Sequence, residues 1–277
     1  MPLPLRPLLP EDLPQAHALT QAIRWPHREQ DWRFALSLGQ GWAVAEGERL
    51  LGTSMSWAFG PAWGCFGMLI VAQDQQGRGL GARLMEAALA ALEGRAVQLH
   101  ATPAGQALYR RLGFAPAGTI TQHQGIALAP PPAVPGRGQR LRPGSAADLP
   151  VLAALDRAAT GMDRTRALAA IHGMGDAVIL ERDGVAEGFA MLRPFGRGEV
   201  IGPVAAPNAA AAWALIAHVL AARAGGFVRI DITDPALAPM LAAHGLAAVD
   251  EALRMVRGSQ AAPGATRSFA LVNQALG

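Results

Sequence analysis

Three glycines alternate with other residues at positions 77, 79 and 81, and a helix-forming segment over residues 82–89 follows them directly. An apolar run that ends at Val71 precedes them. Glycine has no side chain to shield its amide, so successive N–H groups can converge on one anion. The start of the helix adds unpaired amides and the positive end of its dipole. The pattern indicates a phosphate or pyrophosphate site, although on glycine spacing alone a plain tight turn is an equal alternative.

The two commonest nucleotide-binding motifs do not fit these glycines. A Walker loop needs Gly-Lys-Ser/Thr, but the chain has no lysine, and its 24 strongly basic residues are all arginines. The dinucleotide fingerprint needs G-x-G-x-x-G and an acidic residue about 20 positions later. Here the spacing is G-x-G-x-G, and the next strand-like run, residues 96–100, ends in His100.

The hydrophobic pattern around the glycines predicts a mixed α/β, or α+β, domain of about 120 residues. Strands are expected at residues 3–8, 42–45, 50–57, 65–71 and 96–100, and near Phe114 and Ile120. Helices are expected at residues 13–23, 29–38, 80–92 and 105–112. The sheet is expected to be mostly antiparallel and twisted, with helices on its faces.

Length and composition exclude several classes of protein. A chain of 277 residues with 51% apolar residues fits two domains of common size. No apolar run approaches the roughly 20 residues of a membrane span, and no signal-peptide pattern precedes the first strand, so we expect a cytoplasmic protein without a membrane partner. The single cysteine, Cys65, excludes an internal disulfide and gives no support to a zinc site. A net charge of +3 and 5% aromatic residues make a nucleic-acid partner improbable.

The two halves of the chain resemble each other across a proline-rich break at residues 129–138. Arg6-Pro7 corresponds to Arg142-Pro143 at an offset of 136, and residues 108–114 correspond to residues 240–246 at an offset of 132. Ordered similarities at nearly constant offset indicate a tandem duplication. We therefore predict an N-terminal domain (1–126), a linker (127–140), a C-terminal domain (141–257) and a tail (258–277) that docks on the body.

The first half resembles the GNAT superfamily of acyl-CoA-dependent N-acetyltransferases. Its signature Q/R-x-x-G-x-G/A matches Gln76-Gly77-Arg78-Gly79-Leu80-Gly81, and the companion signature matches Ala107-Leu108-Tyr109 followed by Gly113-Phe114. The resemblance covers about residues 3–125. The pairing with a diverged second half resembles the tandem-GNAT group that includes the YitH-like acetyltransferases.

The resemblance implies roles for individual residues. The pantetheine arm of acetyl-CoA would pair with a strand edge as an added strand, and backbone amides would hold the pyrophosphate. The cofactor-binding residues would be Leu69, Ile70, Val71, Gln76, Gly77, Arg78, Gly79, Leu80, Gly81 and Ala82. Tyr109, the one tyrosine of the chain, would be the general acid that protonates the departing thiolate. No metal is implied.

The general base is less well defined, because the central strand carries no glutamate at residues 67–70. His100 is a candidate because histidine titrates near neutrality, and Glu29 and Asp31 are others. A surface or capping role is the commoner one for each of the three. Trp25 and Trp32, with Glu29 and Asp31, would form the wall of an acceptor site, although tryptophans are more often core residues.

The second half has lost these features. Alanines fill residues 209–212, where the glycine series would be expected, and Leu241 stands in the place of Tyr109. We therefore expect this half to be inactive. Asp163-Arg164 resembles a pair that recurs in the tandem group and could face a shared cleft, but a surface salt bridge is the expected role.

These observations predict transfer of acetyl from acetyl-CoA to the primary amine of a small molecule by direct attack, in the N-terminal domain. The alternative is a module that binds acetyl-CoA and does little chemistry. The sequence leaves open the acceptor and the choice between a monomer and a homodimer.

Overall fold

Two successions of helices and strands follow each other in the same order. The computed structural model describes residues 3–132, 136–259 and 264–277. The first half comprises β1 (Leu5–Pro7), α1 (Leu13–Ala22), α2 (Glu29–Leu38), β2 (Gln40–Glu46), β3 (Arg49–Phe59), β4 (Trp63–Val71), α3 (Leu80–Ala90), β5 (Ala96–Ala101), α4 (Gln106–Arg111) and β6 (Ala115–Ile126). The second comprises β7 (Gln139–Pro143), α5 (Leu149–Thr160), α6 (Thr165–His172), β8 (Asp176–Arg182), β9 (Val185–Phe195), β10 (Gly198–Ala206), α7 (Ala209–Ala222), β11 (Phe227–Ile232), α8 (Ala238–Ala243), β12 (Ala247–Arg257) and β13 (Arg267–Ala270).

The mixed α/β class predicted from the sequence is confirmed, with a mostly antiparallel sheet flanked by helices. One difference concerns the two strands expected near Phe114 and Ile120, which are a single strand, β6. Pro116 and Gly118 interrupt the strand pattern, but the partner strand β12 shifts its register opposite them and keeps the pairing. Such an irregularity lets a strand continue past residues that would otherwise end it.

The duplication is visible in strand register. In the first half the parallel pair β4–β5 begins at Trp63 opposite Ala96, and in the second the parallel pair β10–β11 includes Glu199 opposite Val228. The offsets are 136 (199 − 63) and 132 (228 − 96), as in the sequence comparison. The Arg6–Asp12 ion pair (2.6 Å) is repeated by Arg142–Asp148 (2.7 Å). The same fold is therefore built twice.

The two copies exchange a strand. Within the described residues, the strands form one sheet in the order β1-β2-β3-β4-β5-β12-β6-β11-β13-β10-β9-β8-β7. Thus β12 of the second half lies between β5 and β6 of the first, and β6 pairs with β11 of the second. The proposed domains 1–126 and 141–257 would each complete the other's sheet. Residues 133–135 of the proposed linker lie outside the described residues.

The halves also share a hydrophobic core. A single cluster contains Trp32 and Met55 of the first half and Phe189 and Val272 of the second, all fully buried. Burial of large apolar side chains across the junction makes independent movement of the halves costly. In the part of the chain that the structure describes, no helix combines the length and hydropathy that a membrane span requires.

The expected surface salt bridge at Asp163-Arg164 is corrected by the structure. Arg164 is buried, and its guanidinium donates to both carboxylate oxygens of the buried Asp156 (2.6 and 2.9 Å). It also donates to the main-chain oxygen of Gly277. Asp163 is exposed and pairs with Arg157 instead. A charged group that is buried away from water needs a close opposite charge. Asp156, eight residues earlier in α5, supplies it.

Candidate functional site

The glycine-rich turn before α3 presents unpaired amides. Gly77 and Gly79 have φ values of 77° and 75°, a left-handed conformation that glycine adopts without strain. Gly79 is the N-cap of α3 and has no side chain to accept from the first turn. No acceptor among the described residues takes the amides of residues 77–82, and a Cβ at Gly77 or Gly79 would meet no atom within 4 Å. The turn is therefore open and rich in donors, as an anion site requires.

A cleft opens between β4 and β5 beside this turn. The two strands pair only from Trp63 to Cys65. Beyond Cys65, Met68 adopts a φ of 52° and the register of β3 against β4 shifts, while the hydroxyl of Thr53 donates to the carbonyl of Met68 (3.0 Å). A bulge bends its strand. The edge of β4 that holds the predicted residues Leu69, Ile70 and Val71 is therefore not paired with β5 and borders the cleft.

A cavity of about 850 Å³ lies at the open end of this cleft, and both halves line it. The first half contributes residues of α1 and of the loop after it, the bulge of β4, the end of β5, Tyr109 of α4, and β6. The second half contributes the β9–β10 turn, β11, β12 and the tail. Its lining includes Arg24, Trp25, His27, Arg28, Leu69, His100, Tyr109, Gln122, Gln124, Phe195, Arg197, Arg229, Asp250 and Gln274.

Tyr109 lies in α4 and packs its ring against the edges of Phe66 and Phe114, with centroids 6.3 and 6.2 Å away. Gly105 makes room for it, because a Cβ there would come within 2.7 Å of the tyrosine ring. Burial raises the pKa of Tyr109 to about 12. The phenol thus stays protonated at neutral pH and can donate a proton but not accept one.

His100 lies at the end of β5, and its Nδ1 is 2.7 Å from the main-chain oxygen of Gln274. Because a carbonyl only accepts, Nδ1 carries the proton and Nε2 carries the lone pair. Nε2 is shielded from water and has no partner among the described residues. Desolvation lowers the pKa of His100 to about 4, against the opposing effect of the Gln274 carbonyl. The ring is therefore neutral at physiological pH.

Of the four residues predicted to bind the acceptor, Trp25 is the one that lines the cavity. Trp32 is fully buried in the core, with its indole N–H on the hydroxyl of Thr20 (3.3 Å). Asp31 is buried and accepts from the side chain of Arg28, and Glu29 pairs with Arg33 on the surface (2.7 Å). Glu29, Asp31 and Trp32 therefore have structural partners outside the cavity.

Sequence reasoning missed the contribution of the second half to this cavity. Arg229 lies in β11, donates to both carboxylate oxygens of Asp231, and stacks over Phe195 at 5.2 Å. This strand pairs with β6 of the first half, which places Arg229 opposite Gln124, and the tail segment at Gln274 contacts His100. The sequence contains an indication of this contribution. Arg229 and Asp231 are charged residues inside the apolar strand β11, and charged residues are seldom buried unless they are paired.

The second half fills the places that are open in the first. Its parallel strands β10 and β11 diverge in the same way, but β13 lies between them, with Ala270 opposite both Val204 and Ile232. Only residues 207–208 connect β10 to α7, whereas residues 72–79 connect β4 to α3. The side chain of Asn208 caps α7 by accepting from the amide of Ala211 (2.9 Å). Leu241, at the position of Tyr109, is fully buried.

Asn208→Ala is expected to lower the free energy of unfolding by about 1 kcal/mol, because it removes a helix N-cap. Urea denaturation measures this change. Affinity for acetyl-CoA should stay the same, since the capped amide is already satisfied inside the chain. A weakened affinity would contradict our assignment of binding to the first half.

The described residues contain no group of three or more His, Cys, Asp or Glu side chains arranged to hold a metal ion. The chemistry that the cavity residues offer is proton transfer. A neutral imidazole and a protonated phenol line the same cavity, beside a cleft that ends at a turn with unpaired amides.

Comparison with known proteins gives two family matches. One model described as an acetyltransferase (GNAT) domain matches residues 37–116, and a second with the same description matches residues 152–269. The N-acetyltransferase YitH of Bacillus subtilis (strain 168), described as uncharacterized, is 29% identical over 216 residues, which cover 76% of each chain.

Solved structures share the whole tandem fold. A putative acetyltransferase from Pyrococcus horikoshii superposes with a TM-score of 0.80 at 19% identity, covering 99% of this chain and 96% of that one. A tandem GNAT protein from the clavulanic acid biosynthesis pathway superposes with a TM-score of 0.64 at 16% identity, covering 94% and 100%. At these identities the likeness concerns the fold. Together with the two domain matches and the relative in Bacillus subtilis, it shows that the chain is an acyltransferase of the GNAT superfamily, with two GNAT domains in one polypeptide.

Proposed function

We propose that the protein transfers the acetyl group of acetyl-CoA to the primary amine of a small molecule, and that the first half carries the reaction. The observation that supports this most is the contrast between the two copies. In the first, an open cleft leads from a donor-rich turn to a cavity with Tyr109 and His100. In the second, β13, Asn208 and Leu241 occupy the corresponding places.

The first half fits the shape and charge of acetyl-CoA. The unpaired amides of residues 77–82 suit a pyrophosphate, which accepts several hydrogen bonds and is stabilised by the helix dipole. The free edge of β4 at Leu69, Ile70 and Val71 suits an extended pantetheine arm that pairs as a strand. Gln76 and Arg78 would border the pyrophosphate, and Leu80, Gly81 and Ala82 would provide the helical amides.

The reaction needs two proton transfers. The acceptor attacks as the neutral amine, after its ammonium form has lost a proton to solvent. Nε2 of His100 accepts the second proton as the amine nitrogen forms a bond to the acetyl carbon. The carbon–sulfur bond then breaks, and the hydroxyl of Tyr109 donates its proton to the departing thiolate. A base and an acid of separate residues suit this direct attack, and no covalent enzyme intermediate is needed.

The pH dependence of kcat at saturating substrates tests the assignment of His100. Protonation of Nε2 removes the base, so activity is lost as pH falls through the pKa of the folded protein. Because that pKa is lowered to about 4, we expect the limb due to His100 between about pH 4 and 5, and not near the 6.5 of an unperturbed histidine. The acceptor for this measurement is an amine of low pKa, so that its own protonation does not mask the limb. His100→Gln should lower kcat about 100-fold and lose this limb. A limb that persists unchanged in the variant would assign the base elsewhere.

A panel of primary amines, assayed by release of the coenzyme A thiol, tests the proposed function directly. The panel should contain amino acids, polyamines, amino sugars and a lysine peptide. Release that depends on one amine class supports acetyl transfer. Tight binding of acetyl-CoA without turnover of any amine would favour the alternative, an acetyl-CoA-binding module.

A further inference from the structure

The walls of the cavity carry more positive than negative charge. Four arginines line it, at positions 24, 28, 197 and 229, and Asp250 is the one carboxylate among its lining residues in the described ranges. An arginine excess in a concave site attracts anions, because low-dielectric walls focus the field of the charges. The amine acceptor alone, which is neutral or cationic, does not account for this excess.

Two of the arginines are neutralised by carboxylates behind them. Arg28 pairs with Asp31 at 2.8 Å, and Arg229 pairs with Asp231 at 2.9 Å. Arg24 and Arg197 have no carboxylate within 4 Å among the described residues. They come from different halves of the chain, one after α1 and the other in the β9–β10 turn.

Both of these arginines are held in place by the fold. Arg24 has a φ of 60°, which costs a non-glycine residue roughly 1 kcal/mol. Its amide donates to the carbonyl of Gln21, and the next amide, that of Trp25, donates to the carbonyl of Thr20. Arg197 stacks its guanidinium over Phe227 at 4.7 Å. The strained backbone and the stacking therefore hold two exposed, unpaired guanidinium groups at the cavity, where they are free to bind an anion.

The negative charge of acetyl-CoA is not that ligand. Its phosphates would lie at the turn formed by residues 76–82, and no residue of that turn lines the cavity. The bulge residues Gly67, Met68 and Leu69 do line it, which is where the uncharged pantetheine and acetyl end would lie. The arginines therefore face the acceptor.

We propose that the acceptor is a small zwitterion, a primary amine that also carries a carboxylate or phosphate group bound by Arg24 and Arg197. This rests on the proposed function. Guanidinium groups bind both anions through paired hydrogen bonds. Asp250 provides the one negative charge that an ammonium would meet on the way in. A polyamine, which carries only positive charge, would be repelled by the same walls.

Matched acceptors test this proposal. Leucine against 3-methylbutylamine and phenylalanine against 2-phenylethylamine differ only in the carboxylate, and phosphoethanolamine against ethanolamine differs only in the phosphate. We expect kcat/KM to be at least about 10-fold higher for the member of each pair that carries the carboxylate or phosphate (the anionic member). Loss of one charged hydrogen bond predicts a difference of this size. The carboxylate pairs and the phosphate pair distinguish the two anions.

Two variants locate the anion. Arg24→Gln and Arg197→Gln should each lower kcat/KM for the anionic member about 10-fold, lower it much less for the member without the carboxylate or phosphate, and leave the affinity for acetyl-CoA unchanged. Arg182→Gln is the matched control, because Arg182 pairs with Glu187 on the surface of the second half and does not line the cavity.

The outcomes separate this inference from the proposed function. Equal turnover within every pair, or an equal loss for both members in the variants, overturns the zwitterion and leaves acetyl transfer intact. If no amine is acetylated, acetyl transfer fails. Calorimetric titration of the same amines into the coenzyme A complex then decides the inference. Binding of the anionic members that is lost in Arg197→Gln supports it, and absence of such binding overturns it.

Discussion

Tyr109→Phe is expected to lower kcat by about 100-fold or more, with little change in the affinity for acetyl-CoA. The substitution removes only the hydroxyl, and a general acid typically contributes a factor of 10² to 10⁴. The aromatic ring keeps its edge contacts with Phe66 and Phe114, so the fold should be retained. Thiol release gives kcat, and isothermal calorimetry gives the affinity.

Thermal unfolding of the same variant is the control for structure. An unchanged midpoint with a reduced kcat assigns the effect to chemistry. The basic limb of the pH profile offers a second readout. Because burial raises the pKa of Tyr109 to about 12, loss of activity through deprotonation of this hydroxyl is expected only near that pH in the wild-type enzyme and not at all in the variant. A Tyr109→Phe enzyme that releases coenzyme A at the wild-type rate would remove Tyr109 from the reaction.

Gly79→Val is expected to weaken acetyl-CoA binding by about 100-fold or more. The branched side chain would stand where the pyrophosphate lies, and hydrogen bonds to charged groups contribute about 1.5–3 kcal/mol each, so the loss of two suffices. The space around Gly79 is open in the structure, so the side chain meets no protein atom. Calorimetry with acetyl-CoA measures the effect.

The left-handed conformation of Gly79 requires a control for backbone strain. Gly184 has a comparable φ of 84° and the same open surroundings, in the β8–β9 turn of the second half. Gly184→Val therefore introduces the same strain, roughly 1–2 kcal/mol, away from the proposed site. If both variants lose acetyl-CoA affinity alike, strain and not occupation of the site explains the loss.

The proposed site combines parts that sequence reasoning located with parts that it did not. The glycine turn comes from a local pattern of residues, and the roles of the central strand and of Tyr109 come from the resemblance to the GNAT motifs. Glu29, Asp31 and Trp32 were placed at the acceptor wall, but each of them satisfies a local partner first. Whether a side chain contacts a neighbouring residue or a ligand depends on which residues the fold places opposite it. The sequence does not show which residues those are.

The second half contributes to the cavity even though its own copy lacks the glycine series and the tyrosine. Its Gln274 carbonyl fixes the tautomer of His100, and its Arg197, Arg229 and Asp250 line the cavity. The strand β13, which fills the cleft of the second half, also helps to form the cavity. The chain that follows β13 leads directly to Gln274, which contacts His100. We therefore interpret the second half as the part that completes the acceptor cavity.

The sequence by itself determined the elements, the duplication and the difference between the copies. Periodicity, glycine spacing and helix-forming residues act over a few positions, and they predicted helices and strands within a few residues of where they lie. Only the tertiary structure decided that β6 and β12 change places, that β13 fills the second cleft and that the tail reaches His100. The reason is physical: backbone hydrogen bonds are alike for every strand, so strand partners are chosen by burial and register across the whole fold.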